Sequence, residues 1–201
     1  MPTRHDDTEC AQPDSMVIPG KLSDLFYFAY GSNMNTALML TRCAKPVAAG
    51  VARLPQHRIA FHGYSSTWDG AVESCVSAPG RDLWGVLYKL TPSDGDRLDS
   101  WLDVRLDGTG TYFHYPARVM DGQGTTHTVL LYKKDVLGEP RMPSREYLDV
   151  IVRGAEEHGL PARYIDGLRR IESKPAAFEV PVRGKYDRGL LLASLCGECG
   201  N

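Results

Sequence analysis

The segment from Asp24 to Asn35 constrains this chain more than any other. Leu25-Phe26-Tyr27-Phe28-Ala29-Tyr30 is a continuous aromatic and apolar run, which reads as a buried strand. It stops abruptly at Gly31-Ser32-Asn33-Met34-Asn35. Gly31 permits unusual backbone angles, and Ser32, Asn33 or Asn35 can each cap a following helix over 36–42. The first unit is therefore strand, tight polar turn, short helix.

Strand signals dominate the chain beyond that helix. Short alternating runs occur at 50–54 and 58–62, then at 71–77 (Ala-Val-Glu-Ser-Cys-Val-Ser) and 82–90 (Asp-Leu-Trp-Gly-Val-Leu-Tyr-Lys-Leu), each rich in β-favouring residues. Thr91-Pro92 opens a helix to about Trp101, with Thr91 as N-cap and Pro92 in the first turn. Residues 112–120 and 126–133 form a hairpin across Asp121-Gly122-Gln123-Gly124. Ser144 begins a helix that carries Tyr147, Leu148, Ile151, Val152 and Ala155 at helical spacing. Gly159 ends it and Pro161 starts another, to about Ile171. Strands first and helices late predict an α+β fold with a small closed or nearly closed β-barrel flanked by helices. The domain is expected over 23–172, after a disordered leader at 1–22 and before a C-terminal extension at 173–201.

Composition excludes several functions. A net charge of -2 and a pI near 6.3 give no electrostatic footprint for nucleic acid or an anionic membrane. No apolar run approaches the roughly 20 residues of a membrane span, and the polar N-terminus holds no signal core. A cytoplasmic address is the expectation. The five cysteines (Cys10, Cys43, Cys75, Cys196, Cys199) are odd in number and read as reduced thiols. Cys196-Gly-Glu-Cys199 has no second ligand pair beside it, so no metal is expected. Cys75 has no His at thiol-protease spacing, and the run Arg163, Arg169, Arg170 reads as a solvated helix face.

A strand that ends in Gly-Ser-Asn before a helix aims several backbone N–H groups into one small volume. Such a nest binds a carboxylate or a developing oxyanion, although the same residues also make an ordinary capped turn.

Phe28-Ala29-Tyr30-Gly31-Ser32-Asn33-Met34 resembles the signature loop of the γ-glutamylcyclotransferase family. Three further stretches are similar in the same order: 68–80 with Ala78-Pro79-Gly80, then Leu83-Trp84-Gly85-Val86-Leu87-Tyr88, then 147–171 with Gly154-Ala155 and His158-Gly159-Leu160-Pro161. The resemblance implies a barrel with a cavity beside the loop and no cofactor. The implied partner is a small γ-glutamyl amide or amine conjugate, with a homodimer as the assembly to be tested. It implies a reaction in which the substrate's own α-amine attacks its γ-carbonyl, forming 5-oxoproline and releasing an amine. By matching position, Tyr27, Phe28, Ala29, Tyr30, Gly31, Ser32 and Asn33 would hold the glutamyl group. Tyr132 falls where the family places a ligand-contacting tyrosine.

The catalytic carboxylate departs from the pattern. The family has Leu-Asp, two residues, then Glu-Gly; here Leu98-Asp99-Ser100-Trp101 leads to Leu102-Asp103. Leu102 cannot carry a proton, and the loop over 104–111 is longer than the resemblance implies. Asp103, adjacent to the lost position, is the first replacement to consider, with Asp107 from the longer loop behind it. Glu73 is the second, an acid in a strand where the family has a small or apolar residue. Two alternatives stay open: a non-catalytic ligand-binding member of the family, and an amide hydrolase or acyltransferase of altered chemistry.

Overall fold

The computed structural model describes residues 25–181. The expected leader at 1–22, Cys10, Cys196, Cys199 and most of the C-terminal extension lie outside them. Five strands, β1 (Leu25–Ala29), β2 (Val47–Ser65), β3 (Gly70–Leu90), β4 (Tyr112–Asp121) and β5 (Thr126–Lys134), close into a barrel in the order β1-β3-β2-β4-β5. Neighbours are antiparallel except β1 and β5, which meet in parallel at Tyr27 and Leu130 and complete the ring. Closure removes the exposed edges that an open five-stranded sheet would leave. The expected α+β barrel is the fold of this chain.

The two short runs at 50–54 and 58–62 belong to one strand, as do those at 71–77 and 82–90. A register shift between Pro55 and His57 lets Gln56 take φ 60 without ending β2. Pro and Gly here mark bulges, and bulges look like turns in sequence.

Alternation along β1 sorts its side chains between two cores. Phe28 and Tyr30 join Ala52, Leu54, Cys75, Leu83, Val119 and Leu131, drawn from the strands. Tyr27 and Ala29 join Tyr132 and residues of the helices, among them Met39, Leu98, Tyr147, Ile151 and Leu168. The second core lies between the barrel wall and α1 (Thr36–Arg42), α2 (Pro92–Trp101), α3 (Arg145–Glu157) and α4 (Ala162–Arg169). Asn35, Thr91 and Ser144 cap α1, α2 and α3 by accepting backbone N–H groups, as their side chains predict.

Helix α3 fixes the loop after β1 from both ends. Near its C-terminus Glu157 accepts from Asn35 Nδ2 and Thr36 N, each at 2.8 Å. Gly154 lies against the loop backbone; a Cβ there would stand 2.4 Å from Asn35 N. At its N-terminal end Tyr147 reaches the loop itself. Among the described residues no helix is long and apolar enough to cross a membrane.

Candidate active site

A short 3-10 turn, Ser32–Met34, follows Gly31 and brings Ser32 and Asn33 into the second core, each 4% exposed. The Ser32 N–H donates to Glu73 Oε1 at 3.0 Å, with Ser32 Oγ at 3.5 Å from the same oxygen. Tyr147 Oη–H donates to Glu73 Oε2 in a very short bond. Gly31 makes room for this carboxylate, because a Cβ at that position would lie 1.9 Å from Glu73 Oε1. The nest expected of the loop is thus filled by the chain's own anion.

Glu73 comes from β3, where it pairs with Phe61 of β2. Tyr112 Oη donates to the Glu73 backbone carbonyl at 3.0 Å. Trp68 and Phe61 pack on the Tyr147 ring with centroids 4.5 and 6.5 Å away. Burial first, and then the charge of Glu73, push the Tyr147 and Tyr112 hydroxyls well above the usual tyrosine range, so both remain neutral donors at physiological pH.

On the other side of the loop, Arg42 Nη1 donates to Asn33 Oδ1, and Asn33 Nδ2 donates to Tyr27 Oη at 2.8 Å. The Tyr27 ring meets that of Tyr132 edge-on at 5.4 Å. Tyr132 Oη donates to Asp99 Oδ1 at 2.6 Å, which also takes His114 Nε2 at 2.7 Å. Tyr30 turns the opposite way, and its hydroxyl donates to the Tyr132 carbonyl at 2.5 Å.

Of the residues singled out in the sequence, Tyr27, Ala29, Gly31, Ser32, Asn33, Tyr132 and Glu73 therefore gather on one side of the barrel wall. The side chains of Phe28 and Tyr30 lie in the strand core instead, because alternate residues of a strand point to opposite faces. Asp103 is 45% exposed and bound up in its own loop. It takes Arg105 Nε at 2.8 Å and Thr111 N and Oγ1 at 3.2 and 3.0 Å. Arg105 and then Thr111 hold its carboxyl below the usual range. Asp107 likewise accepts from Thr109. Leu102 caps the end of α2 and packs against the second core.

Tyr147, Tyr112 and Arg42 carry no local sign of such a role. Tyr147 falls at an ordinary core position of an amphipathic helix, and only the tertiary contact with Glu73 sets it apart. A groove of about 710 Å³ runs past Arg58–His62, Pro140–Pro143 and Ile171, and none of residues 27–33 lines it. It touches Phe61 and Ala71, the register partner and the same-face neighbour of Glu73. Among the described residues no group of three or more His, Cys, Asp or Glu is placed to hold a metal ion.

A profile of the AIG2-like family matches residues 82–168. Gamma-glutamylcyclotransferase of Mus musculus is 33% identical over 150 residues, which cover 73% of this chain and 78% of the mouse protein. The chain belongs to the γ-glutamylcyclotransferase family. The Bos taurus protein of the same name is 34% identical over the same shares of the two chains. A solved gamma-glutamyl cyclotransferase superposes with a TM-score of 0.72 at 28% identity, covering 85% of this chain and 99% of its own. The barrel of this chain is that of its solved relative.

Proposed function

We propose that this protein is a γ-glutamylcyclotransferase in which Glu73, on β3, carries the proton transfer that the family assigns to the loop after α2. The observation that carries the reading is the Glu73 carboxylate held between the Ser32 N–H and the Tyr147 hydroxyl. Asp103 is set aside because Arg105 and Thr111 already bind its oxygens.

The chemistry rests on that placement. A γ-glutamyl amide enters with its γ-carbonyl oxygen towards the loop amides, which stabilise negative charge that develops there. Glu73 takes a proton from the α-ammonium, and the freed amine attacks the γ-carbonyl carbon. The C–N bond to the leaving amine then breaks as Glu73 returns that proton to the departing nitrogen, and the second proton that the ring nitrogen sheds leaves on the amine as its ammonium form. The products are 5-oxoproline and a free amine; no water is consumed and no cofactor takes part. Holding nucleophile and carbonyl together removes most of the entropic barrier to ring closure, and proton transfer adds a factor of roughly 10²–10⁴. Substrate entry displaces Glu73 from the Ser32 amide, so the carboxylate acts as a plug in the unliganded protein and as acid–base when the site is filled. The buried free thiols Cys43 and Cys75 support a reducing, cytoplasmic setting.

That plug favours one second reading, a member of the family that binds γ-glutamyl ligands without turnover. Incubating the protein with a panel of γ-glutamyl amines in H₂¹⁸O separates the readings. Cyclisation gives equimolar 5-oxoproline and amine with no ¹⁸O. Hydrolysis gives ¹⁸O-labelled glutamate. Saturable binding with no product from any amide leaves the non-catalytic reading.

A further inference from the structure

Arg42, the last residue of α1, is 8% exposed, and its Nε is buried with no acceptor. Nη1 is satisfied by Asn33 Oδ1, and the guanidinium lies 5.5 Å from the centroid of the Trp101 ring. Among the described residues no carboxylate lies within ion-pair distance of it. Residue 102, next to the covering tryptophan, is leucine and supplies none. Burying a charge without a counter-ion is costly, and chains avoid it unless something else compensates.

The position of this charge is informative. Arg42 holds Asn33, and Glu73 is held by Ser32, so a cation and an anion are attached to consecutive residues of one loop. Both act on the same two hydroxyls: Glu73 disfavours, and Arg42 favours, ionisation of Tyr27 and Tyr112. Opposite charges held on consecutive loop residues make this side of the barrel wall dipolar. It fits a ligand with an amine and a carboxylate on one carbon.

We propose that Arg42 is the counter-charge for the α-carboxylate of the bound glutamyl group, and so selects γ-glutamyl compounds whose α-carboxylate is free. This rests on the reading above, in which Glu73 receives the α-amine. Arg42 suits the task because its planar fork keeps Nε–H available for a carboxylate oxygen while Nη1 holds Asn33.

The test compares binding of 5-oxoproline and its carboxamide, in which the carboxylate is replaced by a neutral isostere. Calorimetry is done on the wild type, Arg42→Gln and Arg42→Lys, each first checked for a cooperative thermal transition. The wild type should prefer the acid by at least roughly 30-fold, Arg42→Gln by less than about threefold, and Arg42→Lys should fall between. A residue that only supports Asn33 would, on substitution, weaken both ligands equally and leave the wild-type ratio intact; that result overturns the proposal. So does equal binding of the two ligands by the wild type, which requires no variant to fold. Binding of neither overturns it together with the reading of the site. An Arg42-dependent preference for the acid, in a protein that turns over no γ-glutamyl amide, keeps the inference and removes the cyclotransferase reading.

Discussion

Replacing Gly31 by alanine probes the site through a single methyl group. Gly31 has φ -126° and ψ -140°, and this negative φ is open to alanine, so the substitution acts through space. The new Cβ would stand 1.9 Å from Glu73 Oε1 and 2.4 Å from its Cγ and Cδ. The Glu73 side chain must rotate away, losing the Ser32 amide and the Tyr147 hydroxyl. Hydrogen bonds to a charged acceptor are worth roughly 1.5–3 kcal/mol each, and water recovers part of this, which leaves a net loss of about 2 kcal/mol. For a chain of this size that lowers Tm by about 4–8 °C. Urea unfolding of Gly31→Ala, Glu73→Ala and the double variant measures the coupling. In the Glu73→Ala background there is no carboxylate to displace, and Gly31→Ala should change stability by less than about 0.5 kcal/mol. An equal loss in both backgrounds would show that the loop backbone, and not Glu73, demands glycine, and would refute the packing argument.

Tyr147→Phe removes the donor on Glu73 Oε2. It should cost about 1–2 kcal/mol in urea unfolding and reduce turnover by less than the ~10²–10⁴ expected on removing the carboxylate. Gly154→Ala sets a Cβ 2.4 Å from Asn35 N and 2.5 Å from Met34 C. Backbone cannot step aside as a side chain can, so a destabilisation at or above the usual ~1–3 kcal/mol of overpacking is expected, with weakened ligand binding because the loop moves. Asp103 has a lowered folded pKa, so its stabilisation is complete above the unfolded value of about 3.9 and is lost as pH falls through the lower folded one. Asp103→Asn should therefore flatten the loss of stability below about pH 4, seen in acid titrations by circular dichroism, and leave turnover within about twofold.

Local elements were legible where short-range chemistry decides them. Thr91-Pro92 and Ser144 mark helix starts through caps, and Asp121 to Gly124 marks its hairpin. The long β2 and β3 were not, because Gln56 (φ 60) and Gly80 (φ 76) put turn-like residues where the pairing skips from Pro55–Asp82 to His57–Ser77 without ending either strand. The loop after β1 could be read as an anion nest from its own sequence. That it holds Glu73 could not, since the bond spans 41 positions in the chain. Asp103 lies next to the position where the resemblance puts the family's acid, yet Arg105 and Thr111, two and eight residues on, bind its carboxylate. Arg42 and Tyr147 have no sequence signal at all. Their meaning lies in a missing counter-ion and a tertiary contact.

Whether the proton-transfer group has moved from the loop after α2 to β3 is decided by one comparison of rates. Initial 5-oxoproline formation from a turned-over γ-glutamyl amide is measured for wild type, Glu73→Gln and Asp103→Asn, with 5-oxoproline affinity measured on the same samples. Glu73→Gln should slow the reaction by roughly 10²–10⁴ while still binding 5-oxoproline, and Asp103→Asn should stay near wild type. A slow Asp103→Asn beside a fully active Glu73→Gln would return proton transfer to the loop after α2 and contradict the assignment to Glu73.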